Sequence, residues 1–327
     1  MNVLIIGGTV FLGRHLIRAL QERRHEVTLF NRGIHFADDF PEIEKLRGNR
    51  DGDLSVLKDR KWDAVIDTCG YVPRIVGMSA QFLAESVNTY VFISSVSVYE
   101  DSIGDKDEQC PVIKLNDITT EIITGETYGG LKYLCEQSAE EAMPGRVLTI
   151  RPGLIVGPND WSGRFAYWVH RALLGGEVLV PDSLEQVCQF IDVRDLAEWT
   201  VKLIENNATG IYNADGNIST KLGDVITACF NSLDSKDYTL VPISEQLLLE
   251  NAVIPYQELP LWVPSEWGER TFNCDKAIKD GLRYRSLQTT ITDTREWLLT
   301  VEPREKALGK SLTSSREVEL LGKRRFE

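Results

Sequence analysis

The chain has 327 residues, 43% of them apolar and 26% charged, enough apolar material for one large or two moderate domains. Its formal net charge of −13 and pI near 4.9 give it a field that repels phosphate backbones, which disfavours nucleic acid as a partner. No stretch approaches the roughly 20 continuous apolar residues of a membrane span, and the first residues read as a strand rather than an export signal, so a cytoplasmic protein with no membrane partner is expected.

In chain order, Val3-Leu4-Ile5-Ile6 is a buried-strand run feeding the turn Gly7-Gly8-Thr9-Val10-Phe11-Leu12-Gly13, and Leu16, Ile17 and Leu20 then follow with helical spacing. Strand, glycine turn and helix form a unit that lets the backbone approach a pyrophosphate while the helix start offers N–H groups and a positive dipole end. Val27-Thr28-Leu29-Phe30 follows where the next parallel strand belongs, and would end beside an adenosine ribose. Further strand patterns fall at 64–67, 90–94 and 146–150, with amphipathic helices at 75–86 and 131–142. This alternation predicts an α/β fold, a doubly wound parallel sheet of Rossmann type. After Pro152 the spacing loosens into a Gly/Pro-rich stretch at 153–163, the aromatics Phe165, Tyr167 and Trp168, and short strands separated by helices, a smaller substrate-binding α/β part. Six cysteines, at 69, 110, 135, 188, 229 and 274, show no CxxC spacing and there is no His cluster, so packed, reduced thiols and no metal site are expected. The basic Lys323-Arg324-Arg325 reads as a solvated helix end.

Tyr128-Gly129-Gly130-Leu131-Lys132 carries the sharpest chemistry. Four residues apart on a helix, a phenol and an ammonium lie on one face, and the cation stabilises the phenolate so that the tyrosine acts as acid or base nearer neutral pH.

Taken with Ile93-Ser94-Ser95-Val96-Ser97-Val98-Tyr99, Arg151-Pro152-Gly153-Leu154-Ile155-Val156-Gly157-Pro158 and Phe190-Ile191-Asp192-Val193-Arg194-Asp195-Leu196-Ala197, these motifs resemble the extended short-chain dehydrogenases/reductases, the NAD-dependent epimerase/dehydratase family. The Gly-Gly-Thr turn and Asn31-Arg32 are similar to atypical bacterial members and to the chloroplast stem-loop-binding proteins. The resemblance implies a catalytic set in which Ser95 holds the reacting oxygen, Tyr128 transfers its proton, and Lys132 lowers the phenol pKa while bonding the nicotinamide ribose. Ser97 is either a second polar contact or a backbone cap. The resemblance implies a dinucleotide site formed by Gly7, Gly8, Thr9, Phe11, Leu12, Gly13, Asn31, Arg32, Asn49, Thr68, Cys69, Gly70, Lys132 and Pro152. It divides the chain into a dinucleotide-binding part, 1–152 with a return near 188–215, and a mainly substrate-binding part, 153–327. It also implies a small-molecule substrate and a homodimer formed through the Tyr/Lys helix.

Departures from the family pattern bear on cofactor and substrate. Val10 replaces the middle glycine of the turn, and Asn31-Arg32 stands where NAD-preferring members carry an acid, a guanidinium suited to a 2′-phosphate, so the cofactor is read as NAD(P), leaning to NADP. Asn49 replaces an acidic residue after the third strand. Leu154, Cys188 and Asp192 stand where sugar-nucleotide enzymes often carry Asn, Arg and His, which removes diphosphate ligands. Trp161, Phe165, Tyr167, Trp168, Trp262 and Trp267 are candidates for lining an apolar or ring-shaped substrate pocket. Three readings follow: an oxidoreductase moving hydride at a carbonyl or hydroxyl carbon, a nucleotide-sugar epimerase recycling bound NAD, and a non-catalytic dinucleotide-binding regulator. Val96-Ser97 supplies no acidic pair after Ser95, which argues against dehydration.

Overall fold

The computed structural model describes residues 1–101, 104–232 and 237–324. Of the basic cluster, Arg325 lies outside the described residues; Lys323 donates to Glu319 Oε1 at 2.8 Å and to Asn251 Oδ1 at 2.5 Å at the end of the last helix.

The chain divides into two compact units, the first made of 1–154, 193–216 and 272–283. This unit holds β1 (Asn2–Ile6), α1 (Phe11–Glu22), β2 (Glu26–Asn31), β3 (Glu44–Arg47), β4 (Trp62–Asp67), α2 (Pro73–Leu83), β5 (Val87–Ile93), β6 (Gly104–Lys106), α3 (Tyr128–Ala142), β7 (Val147–Pro152), α5 (Val193–Glu205), β11 (Gly210–Ala214) and α8 (Asp275–Lys279). Seven strands form one sheet in the order β11-β7-β5-β4-β1-β2-β3, and every neighbouring pair is parallel. The order reverses between β1 and β4, which stay paired to their last residues, Ile6 and Asp67, while the connections leaving their carboxyl ends run to opposite faces of the sheet and leave a crevice there, the usual ligand position of such sheets.

Both faces of the sheet are covered, which is why its strands read as continuous apolar runs. Leu4, Ile6, Val65, Tyr90 and Phe92 pack with Ala80 and Leu83 of α2 and Cys135, Ala139 and Met143 of α3. α1 packs against α5, and the buried Leu16, Ile17 and Leu20 match their helical spacing. β3 is absent from the apolar-run reading because only Leu46 of its four residues is buried, so an edge strand gives no hydrophobic signal. Segment 272–283 returns to this unit, where Tyr212 donates to Asp280 Oδ2 at 2.8 Å and Trp199 Nε1 to Asp280 O at 3.3 Å. No motif spacing announces that return.

The second unit, 155–192, 217–271 and 284–327, holds β8 (Ile155–Val156), α4 (Ala166–Leu174), β9 (Gly176–Pro181), β10 (Ile191–Asp192), α6 (Leu222–Ser232), β12 (Tyr238–Ile243), α7 (Glu245–Glu250), α9 (Leu287–Leu299) and α10 (Ser314–Arg324). The chain leaves it through β13 (Arg270–Phe272). β8 pairs with β10 and β9 with β12, both parallel, and α4, α6 and α9 pack together. Arg171 and Glu317 form a buried ion pair, and Glu317 also accepts the Leu179 N–H, which fastens α10 to β9.

The aromatic-pocket expectation is corrected here. Phe165, Tyr167, Trp168 and Trp262 are core residues, with Trp168 Nε1 donating to Pro260 O and Trp262 Nε1 to Ser183 Oγ. Trp161 packs edge-on against Trp297, and Trp267 is exposed. All six cysteines are free and four are buried. Among the described residues no helix is long and apolar enough to cross a membrane, and no His/Cys/Asp/Glu group is arranged to hold a metal.

Candidate active site

The glycine turn closes over the end of β1. Gly7 and Gly8 have φ of +98° and +90°, a region that side-chain-bearing residues rarely adopt. A Cβ on Gly13 would lie 2.3 Å from Gly8 Cα, so α1 approaches the turn as closely as backbone permits. Val10, just before α1, supplies no side-chain cap, and the first turn carries no acid, which leaves the positive end of the helix to an anion. The cradle that these three glycines leave open fits a dinucleotide pyrophosphate, with Val10 in the middle position pointing outward, 45% exposed. Thr9 and Leu12 are buried beside Phe11 at the helix start.

The crevice walls are built from the strand ends. After β2, Asn31 Nδ2 donates to Gly7 O at 2.9 Å while its Oδ1 accepts from Gly33 N–H at 2.9 Å and from Arg47, so this side chain ties the phosphate turn to the next two strand ends. Arg32 is exposed and has no side-chain partner among the described residues. Asn49 is exposed too, its Oδ1 accepting the Asp51 N–H in a local turn. After β4, Thr68 Oγ1 donates to Ile6 O at 2.9 Å, and Cys69 N–H bonds to Asp67 Oδ1 at 3.1 Å. Burial raises the Asp67 carboxyl, but the charge of Arg50 and hydrogen bonds from Arg50, Tyr90 and the Cys69 N–H outweigh it and hold it below the usual carboxylate range.

The second half of the site lies at the ends of β5 and β7. Ser95 caps the short 3₁₀ turn Val96–Val98 by accepting the Ser97 N–H at 3.1 Å and donates to Ser97 Oγ at 3.0 Å. The exposed Ser97 thus provides the N–H that Ser95 caps and also accepts from its hydroxyl. α3 is pressed onto this turn: a Cβ on Gly129 would lie 2.0 Å from Ser97 O, so only glycine allows the start of α3, which begins at Tyr128, to pack this closely on the turn. The Tyr128 ring lies 6.4 Å from that of Tyr71.

Lys132 is buried, and its Nζ donates to Gly70 O at 2.7 Å and Ile93 O at 2.6 Å, 4.3 Å above the Phe92 ring. It therefore bridges the carboxyl ends of β4 and β5. Desolvation lowers its pKa to about 8, opposed by Cys135, Asp67, Glu136 and Cys69. The folded value lies below the unfolded 10.5, so between them the unfolded chain holds the extra proton and stability rises with pH, by up to ~3 kcal/mol. Lys132→Met lacks this slope. The unfolding free energy of wild type minus variant, from urea titrations, is expected to rise by ~2–3 kcal/mol between about pH 7.5 and about pH 10; a constant difference would refute the desolvated lysine.

One turn on, Glu136 shares the face of Tyr128 and Lys132. It accepts from Arg151 Nε at 3.0 Å and Nη2 at 2.6 Å and from Ser94 Oγ, while Arg151 Nη1 donates to Tyr99 Oη at 3.0 Å and Tyr99 to Asn213 Oδ1 at 2.6 Å. This buried network joins α3 to β5, β7 and β11 beneath the site. Sequence reasoning missed Glu136, although the 128/132/136 spacing was readable; Tyr71 and Arg47 had no such signal. Pro152, buried, ends β7.

The parallel sheet and the glycine turn after β1 define a Rossmann-type α/β fold. Residues 77–218 match the model of the NAD dependent epimerase/dehydratase family. The chain is 28% identical over 246 residues to the chloroplast stem-loop binding protein of 41 kDa b of Arabidopsis thaliana, covering 70% of this chain and 62% of that one, so it spans less than two thirds of the curated relative. Among solved structures it is similar to Bordetella bronchiseptica WbmH in complex with NAD+, at TM-score 0.69 and 17% identity, covering 91% of this chain and 98% of that one. Human epimerase family protein SDR39U1 with NADPH gives TM-score 0.61 and 20% identity, over 90% and 99% of the two chains. Bacillus cereus UDP-glucuronic acid 4-epimerase in complex with NAD gives 0.63 and 16%, over 91% and 99%. The family resemblance and the fold class read from the motifs are borne out.

Proposed function

We propose that the protein is an NAD(P)-dependent enzyme, leaning to NADP, that exchanges hydride at a carbonyl or hydroxyl carbon of a small molecule. The observation that carries this reading is the forced contact of Gly129 with Ser97 O, which supports Tyr128 and Ser95 working on one oxygen. Bound nicotinamide would supply the hydride acceptor or donor. Ser95 holds the reacting oxygen, Tyr128 moves its proton, and Lys132, desolvated at the strand ends, favours the phenolate and would bond the nicotinamide ribose. Residues of the turn from Gly7 to Gly13 hold the pyrophosphate.

A nucleotide-sugar substrate has less support. Leu154 and Cys188 are buried, and Asp192 is buried with its Oδ2 accepting from Thr290 at 2.8 Å, so none of the three offers an amide or cation to a diphosphate. The epimerase reading keeps the same residues but retains NAD through the cycle. The stem-loop-binding relative points to a third reading, binding without turnover, against which the net charge of −13 argues. One experiment separates them: denature fresh protein, identify released dinucleotide by mass spectrometry, and titrate native protein with NADPH and NADH by fluorescence. Empty protein that binds NADPH reversibly is the expected result. Stoichiometric, non-exchanging NAD would favour the epimerase cycle, and failure to bind either form would overturn the enzyme reading.

A further inference from the structure

The adenosine end of the crevice contains a guanidinium that the motif pattern does not point to. β2 and β3 are parallel with Asn31 opposite Arg47, so the two side chains stand together where the strands end. Arg47 donates to Asn31 Oδ1 and, through Nη2, to Ala37 O at 3.2 Å. Its guanidinium lies against Gly33, where a Cβ would come within 3.0 Å of Cζ; this glycine also has φ of +71°. Asn31 is bonded in turn to Gly7 O at 2.9 Å. A continuous hydrogen-bonded path therefore fixes the Arg47 head group relative to the phosphate turn.

The neighbouring cations differ in kind. Arg14 is paired with Asp39 and flanked by the rings of Phe36 and Phe40 at 5.3 and 5.4 Å, and Arg50 is bound through both terminal nitrogens to Asp67. Each has its charge answered by a carboxylate. Arg32 has no carboxylate, but nothing orders it. Arg47 alone of the four is both anchored and without an ion-pair partner among the described residues, because its two acceptors are neutral oxygens. A guanidinium has five N–H donors, so three remain for a planar, two-pronged contact with a phosphate, and an ordered fork loses little side-chain freedom on binding.

We propose that Arg47, rather than Arg32, recognises a phosphate on the 2′-oxygen of the adenosine ribose and so sets the coenzyme preference. The assignment rests on the dinucleotide-binding reading above. Asn31 positions the arginine and, being neutral, does not repel the incoming anion as an acid at that strand end would.

Calorimetric titration of the whole protein with adenosine 2′,5′-bisphosphate, 5′-AMP, NADPH and NADH tests this without any turnover. In Arg47→Met, affinity for the bisphosphate and NADPH is expected to fall on the order of 10- to 100-fold, with 5′-AMP and NADH within about threefold of wild type. Arg32→Met is expected to stay within about threefold for all four, and Arg47→Lys to recover part of the loss. Equal losses for phosphorylated and unphosphorylated ligands in Arg47→Met would make the residue merely structural. A loss confined to Arg32→Met would move the role there. Wild type that binds NADH as tightly as NADPH would remove the 2′-phosphate site while leaving the dinucleotide reading intact, whereas wild type that binds none of the four would overturn both.

Discussion

Replacing Tyr128 with Phe is expected to cut turnover by about 10²- to 10⁴-fold while leaving NADPH affinity within about threefold. The hydroxyl is the only part removed. The ring, its neighbour Tyr71 at 6.4 Å and the seating of α3 on Ser97 are all kept, so the loss reports proton transfer rather than a displaced helix. Tyr71 provides an internal control. Its ring also lies 5.3 Å from Lys132 Nζ, but burial pushes its own pKa up to about 12, so it holds its proton through the neutral range. Tyr71→Phe should stay within about fivefold of wild-type turnover. Stopped-flow or steady-state rates with a carbonyl substrate, beside a coenzyme titration, decide the matter. Near-wild-type turnover in Tyr128→Phe, or a matching collapse in Tyr71→Phe, would reassign the proton path.

The second large effect is on stability. Glu136→Gln is expected to lower the unfolding free energy by about 3–5 kcal/mol, since it leaves the buried Arg151 charge facing a neutral amide. The two side chains are 5% and 2% exposed, and Ser94 and Tyr99 are bonded to the same pair, so water cannot substitute for the lost carboxylate. In a chain of this size the fall corresponds to a Tm decrease of roughly 4–7 °C. The double variant Glu136→Gln with Arg151→Met is expected to recover part of the loss, because no uncompensated charge then remains. Denaturant unfolding of the two single variants and the double variant measures the coupling. A single variant within about 1 kcal/mol of wild type would show that solvent reaches the pair.

The central strands were legible because each is buried on both faces. β1, β2, β4, β5 and β7 all announce themselves as apolar runs, and the glycine turn lies where strand must become helix. β3 was not legible, since an edge strand with one inward residue has no periodic signature. The large aromatics misled for the opposite reason. Trp168 and Trp262 fill the core of the second unit, and a bulky apolar residue in a sequence looks the same whether it packs against protein or against a ligand.

The candidate site divides along similar lines. Tyr128, Lys132, Ser95 and the glycines were found because their spacing is set by one helix, one strand end and one turn, local geometry that a linear pattern can encode. Their surroundings depend on contacts between residues far apart in the chain. Lys132 is bonded to Gly70 O and Ile93 O, 62 and 39 positions away, and only that burial moves its pKa to about 8. Asn31 read as a neutral replacement for an acid; in the fold it joins the phosphate turn to Arg47 of a strand that has no hydrophobic pattern. By itself the sequence determined the parallel sheet, the glycine turn and the candidates for the reactive groups, because periodicity and local spacing dictate those. Only the tertiary structure decided which charges are buried, which are paired and which are held ready for an anion, since desolvation and ion pairing arise when distant segments meet.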